Sequence, residues 1–175
     1  MSTTLDFNAI KSEYNLNDDQ MRAFKVMLNN DMVFLTGQAG TGKSYLLKSY
    51  IDFIKKMGGD VMITAPTGVA ALLLHGSTLH RTFQIPIPIK KAIYTKEEIK
   101  NKVNGKLGSL LSCADILVID EISMCRIDVF EYVMNIIQVF NEENPENIIR
   151  VILCGDFLQL PPVLAKWEKA AFQEM

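Results

Sequence analysis

The chain contains little cysteine and histidine, the residues that build disulfide frameworks and zinc sites. Its 175 residues include three cysteines and two histidines. Cys113, Cys125 and Cys154 are far apart and form no CxxC pair. Neither a disulfide framework nor a structural zinc site is therefore predicted, and free thiols in a reducing compartment are the favoured interpretation.

Long hydrophobic runs are missing as well. No apolar run approaches the roughly 18 residues that a membrane-spanning helix needs. The first ten residues lack the basic-then-apolar pattern of a secretory signal. We therefore expect no membrane contact and no secretion. The expected location is the cytoplasm for a bacterial or phage-type protein, or the nucleus or mitochondrion for a eukaryotic one.

The sequence has no overall excess of positive charge. Its net charge of −2 argues against a protein that simply coats nucleic acid. Locally, six lysines and two glutamates occur between Lys90 and Lys106, and three glutamates occur between Asn141 and Glu146. On charge alone, a solvated helix face is the favoured interpretation of each run.

Apolar residues make up 49% of the chain, which is enough for one domain with a buried core. Strand-like apolar runs alternate with segments of helical period, a pattern typical of a parallel sheet covered by helices. Buried strands are predicted at residues 32–36, 61–65, 116–120 and 148–156. We therefore expect an α/β domain of three layers, α-β-α, with a mostly parallel central sheet.

Two of the predicted helices carry apolar stripes. The first helix is expected to begin near Asn17, a residue type that suits an N-cap. Its apolar side is predicted to carry Met21, Phe24, Val26 and Leu28. The helix before the last strand is predicted to bury Ile127, Phe130, Val133, Ile137 and Phe140. Residues 83–113, with prolines and lysines, are expected to leave the sheet rather than to form part of the core.

The sequence GQAGTGKS, from Gly37 to Ser44, matches the phosphate-binding pattern GxxxxGK[ST] at every fixed position. Glycines let successive backbone N–H groups point at phosphates, and the following helix adds its positive dipole end. Lys43 is predicted to contact the β- and γ-phosphates of ATP, and the Ser44 hydroxyl to bind Mg²⁺. The predicted nucleotide-binding residues of this segment are Gly37, Gln38, Ala39, Gly40, Thr41, Gly42, Lys43, Ser44 and Tyr45.

An acidic pair follows the third predicted strand, at the end where open parallel sheets bind ligands. Asp120 is predicted to help hold Mg²⁺, and Glu121 to deprotonate the attacking water. After the fourth strand, Gln159 could hydrogen-bond the γ-phosphate or that water. A surface glutamine before a Pro-Pro turn is the alternative for Gln159.

Taken together, these motifs resemble the 5′-to-3′ DNA helicases of the petite-integration-frequency (PIF) type, in the RecD-like branch of superfamily one. The resemblance covers nearly the whole chain, as a first RecA-like motor domain. LNDDQ resembles the family's glutamine motif, which implies that Gln20 contacts adenine. APTGVAA and GSTLHRTF resemble its strand-tracking motifs, and GDFLQLPPV its motif coupling ATP to DNA.

The resemblance also implies contacts with single-stranded DNA or with a single-strand/double-strand junction. The implied DNA-binding residues are Thr67, Gly68, Val69, Thr78, His80, Arg81 and Phe83. For His80 and Phe83, a capping histidine and a core aromatic residue are the alternatives. Within residues 84–112, the lysine-rich stretch lies where such helicases insert a small wedge that splits the duplex.

The family further implies a second RecA-like domain, which nothing after Val163 could supply. That domain would carry the arginine that stabilises the transferred phosphate. We therefore expect a monomeric motor half with ATP and Mg²⁺ as cofactors, and a role in DNA repair, replication or recombination. Two other hypotheses remain open at this point: a loader-type or partition-type P-loop ATPase, and a non-catalytic nucleotide-sensing module.

Overall fold

The computed structural model of the chain describes residues 5–86 and 94–158. The helices in these ranges are α1 (Phe7–Glu13), α2 (Asp18–Asn29), α3 (Lys43–Lys56), α4 (Gly68–Leu73), α5 (Leu79–Thr82), α6 (Lys96–Val103), α7 (Lys106–Leu111) and α8 (Ile127–Glu143). The strands are β1 (Met32–Thr36), β2 (Val61–Ala65), β3 (Ser77–Thr78), β4 (Ile116–Ile119) and β5 (Arg150–Gly155). None of the helices in these ranges is long and apolar enough to cross a membrane.

The five strands form one parallel sheet in the order β1-β5-β4-β2-β3. The four predicted strands are confirmed, two of them with the predicted bounds and two slightly shorter. The edge strand β3 was not predicted, because two residues are too few to show a period. Since all strands run in one direction, their carboxyl ends meet at one edge of the sheet.

Alternate residues of the central strands face opposite layers of helices. On β4, Ile116 and Val118 pack in a core cluster with α1, α2 and α3. Leu117 and Ile119 pack in a second cluster with α5, α6, α7 and α8. Both faces are buried because successive side chains of a strand point to opposite sides. This arrangement confirms the predicted three-layer α/β fold.

The predicted apolar stripes were partly wrong. Ile127, the first residue of α8, is 61% exposed. In α2, Val26 is 48% exposed, whereas Met27 is buried with Met21 and Phe24. A spacing of three residues at this end of α2 selects residue 27 rather than residue 26 for the inner face.

A short helix, α1, precedes the first predicted one. The Asp6 carboxylate caps it by accepting hydrogen bonds from the backbone N–H groups of Asn8 and Ala9. Its one buried residue is Ile10, so the sequence shows almost no helical period there. The helix is joined to α3 through the Tyr14 hydroxyl, which donates a 2.7 Å hydrogen bond to Asp52.

The expectation that residues 83–113 lie outside the core was wrong for both described parts, residues 83–86 and 94–113, since Phe83 and Ile85 are also buried in the core. Helices α6 and α7 bury Ile99, Val103, Leu107 and Leu111 in the cluster that also contains the inner face of α8. Residues 87–93, including Pro88, lie outside the described residues. A wedge formed by residues 84–112 stays a prediction.

The lysine run and the glutamate run noted in the sequence face each other across α6 and α8. Lys96 forms an ion pair with Glu142, and Lys100 forms one with Glu143, both at 2.6 Å. All four side chains are at least 40% exposed. Such surface pairs contribute only about 0.2–1 kcal/mol each. The two charge runs therefore join solvent-exposed helix faces.

Replacing Gly108 by alanine is expected to destabilise the domain strongly. A Cβ atom at this position would lie 1.7 Å from the carbonyl oxygen of Val103, so α6 and α7 would have to separate. We expect a loss of about 3 kcal/mol in the free energy of unfolding, measured by urea denaturation.

Gly105 offers a matched control for this change. Its Cβ atom would meet no atom closer than 3.5 Å, and Gly105→Ala should lower the stability by less than about 1 kcal/mol. Equal effects of the two substitutions would contradict the packing described for α6 and α7.

Candidate active site

The predicted phosphate loop connects the end of β1 to the start of α3. Gly40 and Gly42 have φ angles of 79° and 87°, in the left-handed region that glycine tolerates best. A Cβ atom on Gly42 would also lie 2.6 Å from the side-chain nitrogen of Gln20. The backbone conformation therefore favours glycine at residue 42, and a side chain there would also push the amide of Gln20 aside.

Lys43 is the first residue of α3, and its ammonium group is folded over the loop. Nζ donates hydrogen bonds to the carbonyl oxygens of Gly37 and Gln38, the latter at 2.9 Å. The Thr41 hydroxyl donates to the same Gln38 oxygen at 2.8 Å. The positive charge is thus held above the loop by groups that a phosphate oxygen could replace as acceptors.

Three carboxylates converge beside the loop. Asp120 and Glu121 follow β4, and Asp156 follows β5, which is the strand paired with β4. Asp120 and Asp156 are buried. All three line one cleft with the phosphate loop, together with Cys154 and Gly155. Sequence reasoning missed Asp156 as a site residue, although its place at the carboxyl end of a neighbouring strand was a usable signal.

The donor set of this cleft fits a divalent cation such as Mg²⁺. Hard cations prefer carboxylate and hydroxyl oxygens, and the cleft offers the carboxylates of Asp120 and Asp156 with the hydroxyl of Ser44. Asp120 and Glu121 are adjacent carboxylates in this cleft, and a bound cation would offset their mutual repulsion.

Glu121 combines an unusual backbone conformation with a shifted pKa. Its φ angle is 52°, in the left-handed region, where few residues other than glycine are found. Partial burial raises the pKa of its carboxyl group, the neighbouring charges of Asp120 and Asp156 raise it further, and Lys43 opposes them. A raised pKa favours the acceptance of a proton, the chemistry required of a general base.

The turn that carries Glu121 packs tightly against β5. It continues as a short 3-10 helix, Ile122–Met124. A Cβ atom on Gly155 would lie 2.9 Å from the side chain of Ile122 and 3.2 Å from the backbone nitrogen of Ser123. Glycine at position 155 therefore lets the two strand ends that carry the acidic residues approach each other.

Gln20 lies beside the phosphate loop, as its contact with Gly42 shows. Its side-chain oxygen accepts a hydrogen bond from the backbone N–H of Asn17, which completes a capping box at the start of α2. Tyr45 also lines the cleft, and its hydroxyl donates a 2.7 Å hydrogen bond to the carbonyl oxygen of Tyr14. Contacts of Gln20 and Tyr45 with a nucleotide stay predictions.

The two predicted strand-tracking segments lie side by side. Ala65, at the end of β2, pairs with Thr78, at the end of β3. Thr67 caps α4 through a hydrogen bond from Ala70, and Thr78 caps α5 through one from Arg81. Val69, beside Gly68 at the start of α4, is 76% exposed. The structure therefore brings these predicted DNA-binding residues to one edge of the sheet.

Phe83 is a correction to the predicted DNA-binding set. Its ring is fully buried in the cluster that contains Leu79 and the inner face of α8. A ring with no exposed surface cannot stack on a DNA base in this conformation, so Phe83 packs in the core. Gln159, the third predicted catalytic residue, lies outside the described residues.

His80 and Arg81 differ in their surroundings. Arg81 is exposed, whereas His80 is partly buried. Burial lowers the pKa of His80, and the positive charge of Arg126 lowers it further, against a smaller opposing effect of Asp128. A lowered pKa keeps the imidazole neutral at pH 7, so His80 would contribute hydrogen bonds rather than charge to a bound strand.

The three thiols are expected to differ in reactivity. Cys113 is exposed, Cys125 is partly buried and Cys154 is buried. Burial raises the pKa of Cys125 to about 12 and also raises the pKa of Cys154. Since the thiolate is the reactive form, titration of the folded protein with a thiol reagent at pH 8 should show one fast thiol. Cys113→Ser should remove that fast phase, and its persistence would contradict the assignment.

A parallel sheet with a phosphate loop at one strand end and acidic residues at the neighbouring ends defines a RecA-like P-loop NTPase domain. Residues 15–175 match the family profile of the PIF1-like helicases. The chain belongs to the PIF1-like helicase family. It is 38% identical over 152 residues to the human ATP-dependent DNA helicase PIF1, a match that covers 85% of this chain and 22% of the human protein.

Solved structures of the same family share the fold. Pif1 helicase from Candida albicans superposes with a TM-score of 0.67 at 34% sequence identity, over 85% of this chain and 34% of that one. Pif1 from Bacteroides, solved in complex with ADP-AlF3 and single-stranded DNA, superposes with a TM-score of 0.66 at 32% identity. That match covers 91% of this chain and 36% of the Bacteroides chain. The chain thus spans between about a fifth and just over a third of these relatives.

Proposed function

We propose that this chain is the ATP-binding motor half of a DNA helicase that moves along single-stranded DNA in the 5′-to-3′ direction. Its membership of the PIF1-like helicase family supports the activity. The direction of movement rests on the family resemblance. The cellular role that goes with it is DNA repair, replication or recombination.

In the proposed reaction, water attacks the γ-phosphate of ATP in line with the leaving group. The Glu121 carboxylate accepts the proton of that water, which its raised pKa favours. Lys43 moves from the loop carbonyls to the phosphate oxygens and balances the developing charge. Ser44 and Asp120 would hold Mg²⁺, with Asp156 beside them, and the cation would neutralise phosphate charge.

The single observation that carries the link to DNA is a cleft between α4 and residues 121–124, which we call the catalytic turn. Thr67 and Val69, from the first predicted strand-tracking segment, line this cleft together with Glu121. A DNA strand that changes α4 would therefore change one wall of a cleft whose other wall is the catalytic turn. A nucleotide-sensing module without turnover would not need this connection.

The turnover of the 175-residue chain and of the full-length gene product should differ greatly. The family resemblance implies that an arginine from outside this chain completes the site, and such an arginine is worth about 10³–10⁵ in rate. The short chain should bind Mg-ATP with very slow turnover that single-stranded DNA does not change. The full-length protein should hydrolyse ATP rapidly, and single-stranded DNA should stimulate it. A steady-state ATPase assay with and without oligothymidylate measures both.

The same assay tests the alternatives. A full-length protein that ignores single-stranded DNA would refute the helicase proposal. Rapid turnover by the short chain, together with a hexamer in sedimentation analysis, would favour a loader-type ATPase that supplies its own arginine. Tight ATP binding without turnover, in both the 175-residue chain and the full-length protein, would favour the nucleotide-sensing module.

A further inference from the structure

Ser123 carries a buried hydroxyl group that no other described residue pairs with. The residue is 5% exposed, and its Oγ atom has no hydrogen-bond partner among residues 5–86 and 94–158. Buried hydroxyl groups almost always have a partner, because leaving one unpaired is unfavourable. A fold that needed only packing at this position would be better served by alanine.

The location of Ser123 suggests why the hydroxyl is kept. It lies in the 3-10 helix directly after Glu121. It lines the cleft between α4 and the catalytic turn, as do Thr67 and Glu121. The remaining walls of this cleft are mainly apolar, with Val69 and Met124 among them. Thr67 of the predicted DNA segment and Glu121 therefore bring polar side chains to the cleft, and the Ser123 hydroxyl is buried beside it.

The backbone around Ser123 is held on two sides. The N–H of Met124 donates a 2.9 Å hydrogen bond to the carbonyl oxygen of Glu121. On the other side, Gly155 approaches the nitrogen of Ser123 so closely that a Cβ atom there would lie at 3.2 Å. A hydrogen bond made by the Ser123 side chain would therefore act on the orientation of Glu121, because both belong to one short, hydrogen-bonded turn.

We propose that Ser123 is a positioning residue that links single-stranded DNA at the α4 segment to Glu121. In this view the hydroxyl, which is buried in the free protein, turns toward the cleft when the strand is bound and gains its partner on the Thr67 side. The new hydrogen bond then holds the catalytic turn in its productive orientation. The inference rests on the proposed DNA-stimulated ATPase activity and adds the residue through which the stimulation passes.

The test compares Ser123→Ala with Ser49→Ala in the full-length protein. Ser49 is also buried, but its hydroxyl donates a 3.0 Å hydrogen bond to the carbonyl oxygen of Tyr45. For Ser123→Ala, we expect the kcat stimulated by oligothymidylate to fall about tenfold, the effect of one hydrogen bond on a barrier. The affinity for a fluorescent ATP analogue should not change.

Thermal stability separates this role from a structural one. Ser123→Ala removes an unpaired buried group, so its Tm should equal or exceed that of the wild type. Ser49→Ala removes a buried hydroxyl that already has a partner, so the ratio of stimulated to basal turnover should stay unchanged. Ser123→Thr keeps the hydroxyl and should retain most of the stimulated rate.

Two results would overturn the inference. One is an unchanged stimulated kcat in Ser123→Ala. The other is a lowered Tm in Ser123→Ala with a parallel loss of ATP affinity, which would mean that the residue only supports the fold. If the wild-type full-length protein shows no stimulation by DNA, the proposed function itself fails, and the inference fails with it.

Discussion

Glu121→Gln is expected to lower the ATP turnover of the full-length protein by about 10²- to 10⁴-fold, the range for loss of a general base. The amide has nearly the same size as the carboxyl group but cannot accept the proton of the attacking water. Binding of ATP should remain, because Lys43 and the phosphate loop are unchanged. Single-turnover hydrolysis and equilibrium binding of a fluorescent ATP analogue measure the two quantities separately.

Glu131→Gln is the matched control for this substitution. Glu131 is an exposed residue of α8, so its replacement should leave turnover and stability unchanged. Folding should also survive Glu121→Gln, because the change removes a partly buried charge that the neighbouring carboxylates disfavour. If Glu121→Gln weakened ATP binding as much as turnover, the assignment of Glu121 as the base would be wrong.

Lys43→Ala is expected to weaken ATP binding itself. The ammonium group would donate charge-assisted hydrogen bonds to the phosphates, each worth about 1.5–3 kcal/mol. The loss corresponds to a roughly 10- to 100-fold higher Kd for Mg-ATP. The fold should be little affected, because the ammonium group contacts only the carbonyl oxygens of Gly37 and Gln38 among the described residues. Isothermal titration calorimetry of the 175-residue chain measures the Kd directly.

Lys48→Ala controls for the loss of a positive charge from the same helix. Lys48 is exposed on α3, one turn after Lys43, and it lies outside the residues that line the nucleotide cleft. Its replacement should leave the Kd unchanged. A similar weakening by both substitutions would indicate a general electrostatic effect of α3 rather than a direct contact from Lys43.

The failures of the sequence-based predictions have specific physical causes. Helix α1 buries one residue, Ile10, so it has no apolar period to detect. Helices α6 and α7 were hidden by nearby prolines and lysines, although their apolar residues Ile99 and Leu107 have ordinary core roles. Phe83 belongs to a DNA-tracking motif by its sequence, yet only the packing around it decides between exposure and burial.

Local sequence determined the features that depend on short stretches of chain. Buried parallel strands are continuous apolar runs, and a phosphate loop needs glycines and a lysine at fixed spacing. The strands, the loop from Gly37 to Ser44 and the acidic residues Asp120 and Glu121 could therefore be predicted before any coordinates were known. The order of the motifs along the chain also indicated the helicase family that the sequence resembles.

Only the tertiary structure decided which of these pieces meet. Asp156 enters the nucleotide cleft because β5 pairs with β4, and the side chain of Gln20, from α2, lies against Gly42 of the phosphate loop. Thr67 and Ser123, more than fifty residues apart in the sequence, line one cleft. Such contacts depend on strand order and on close packing between distant segments, and no local pattern of residues encodes either.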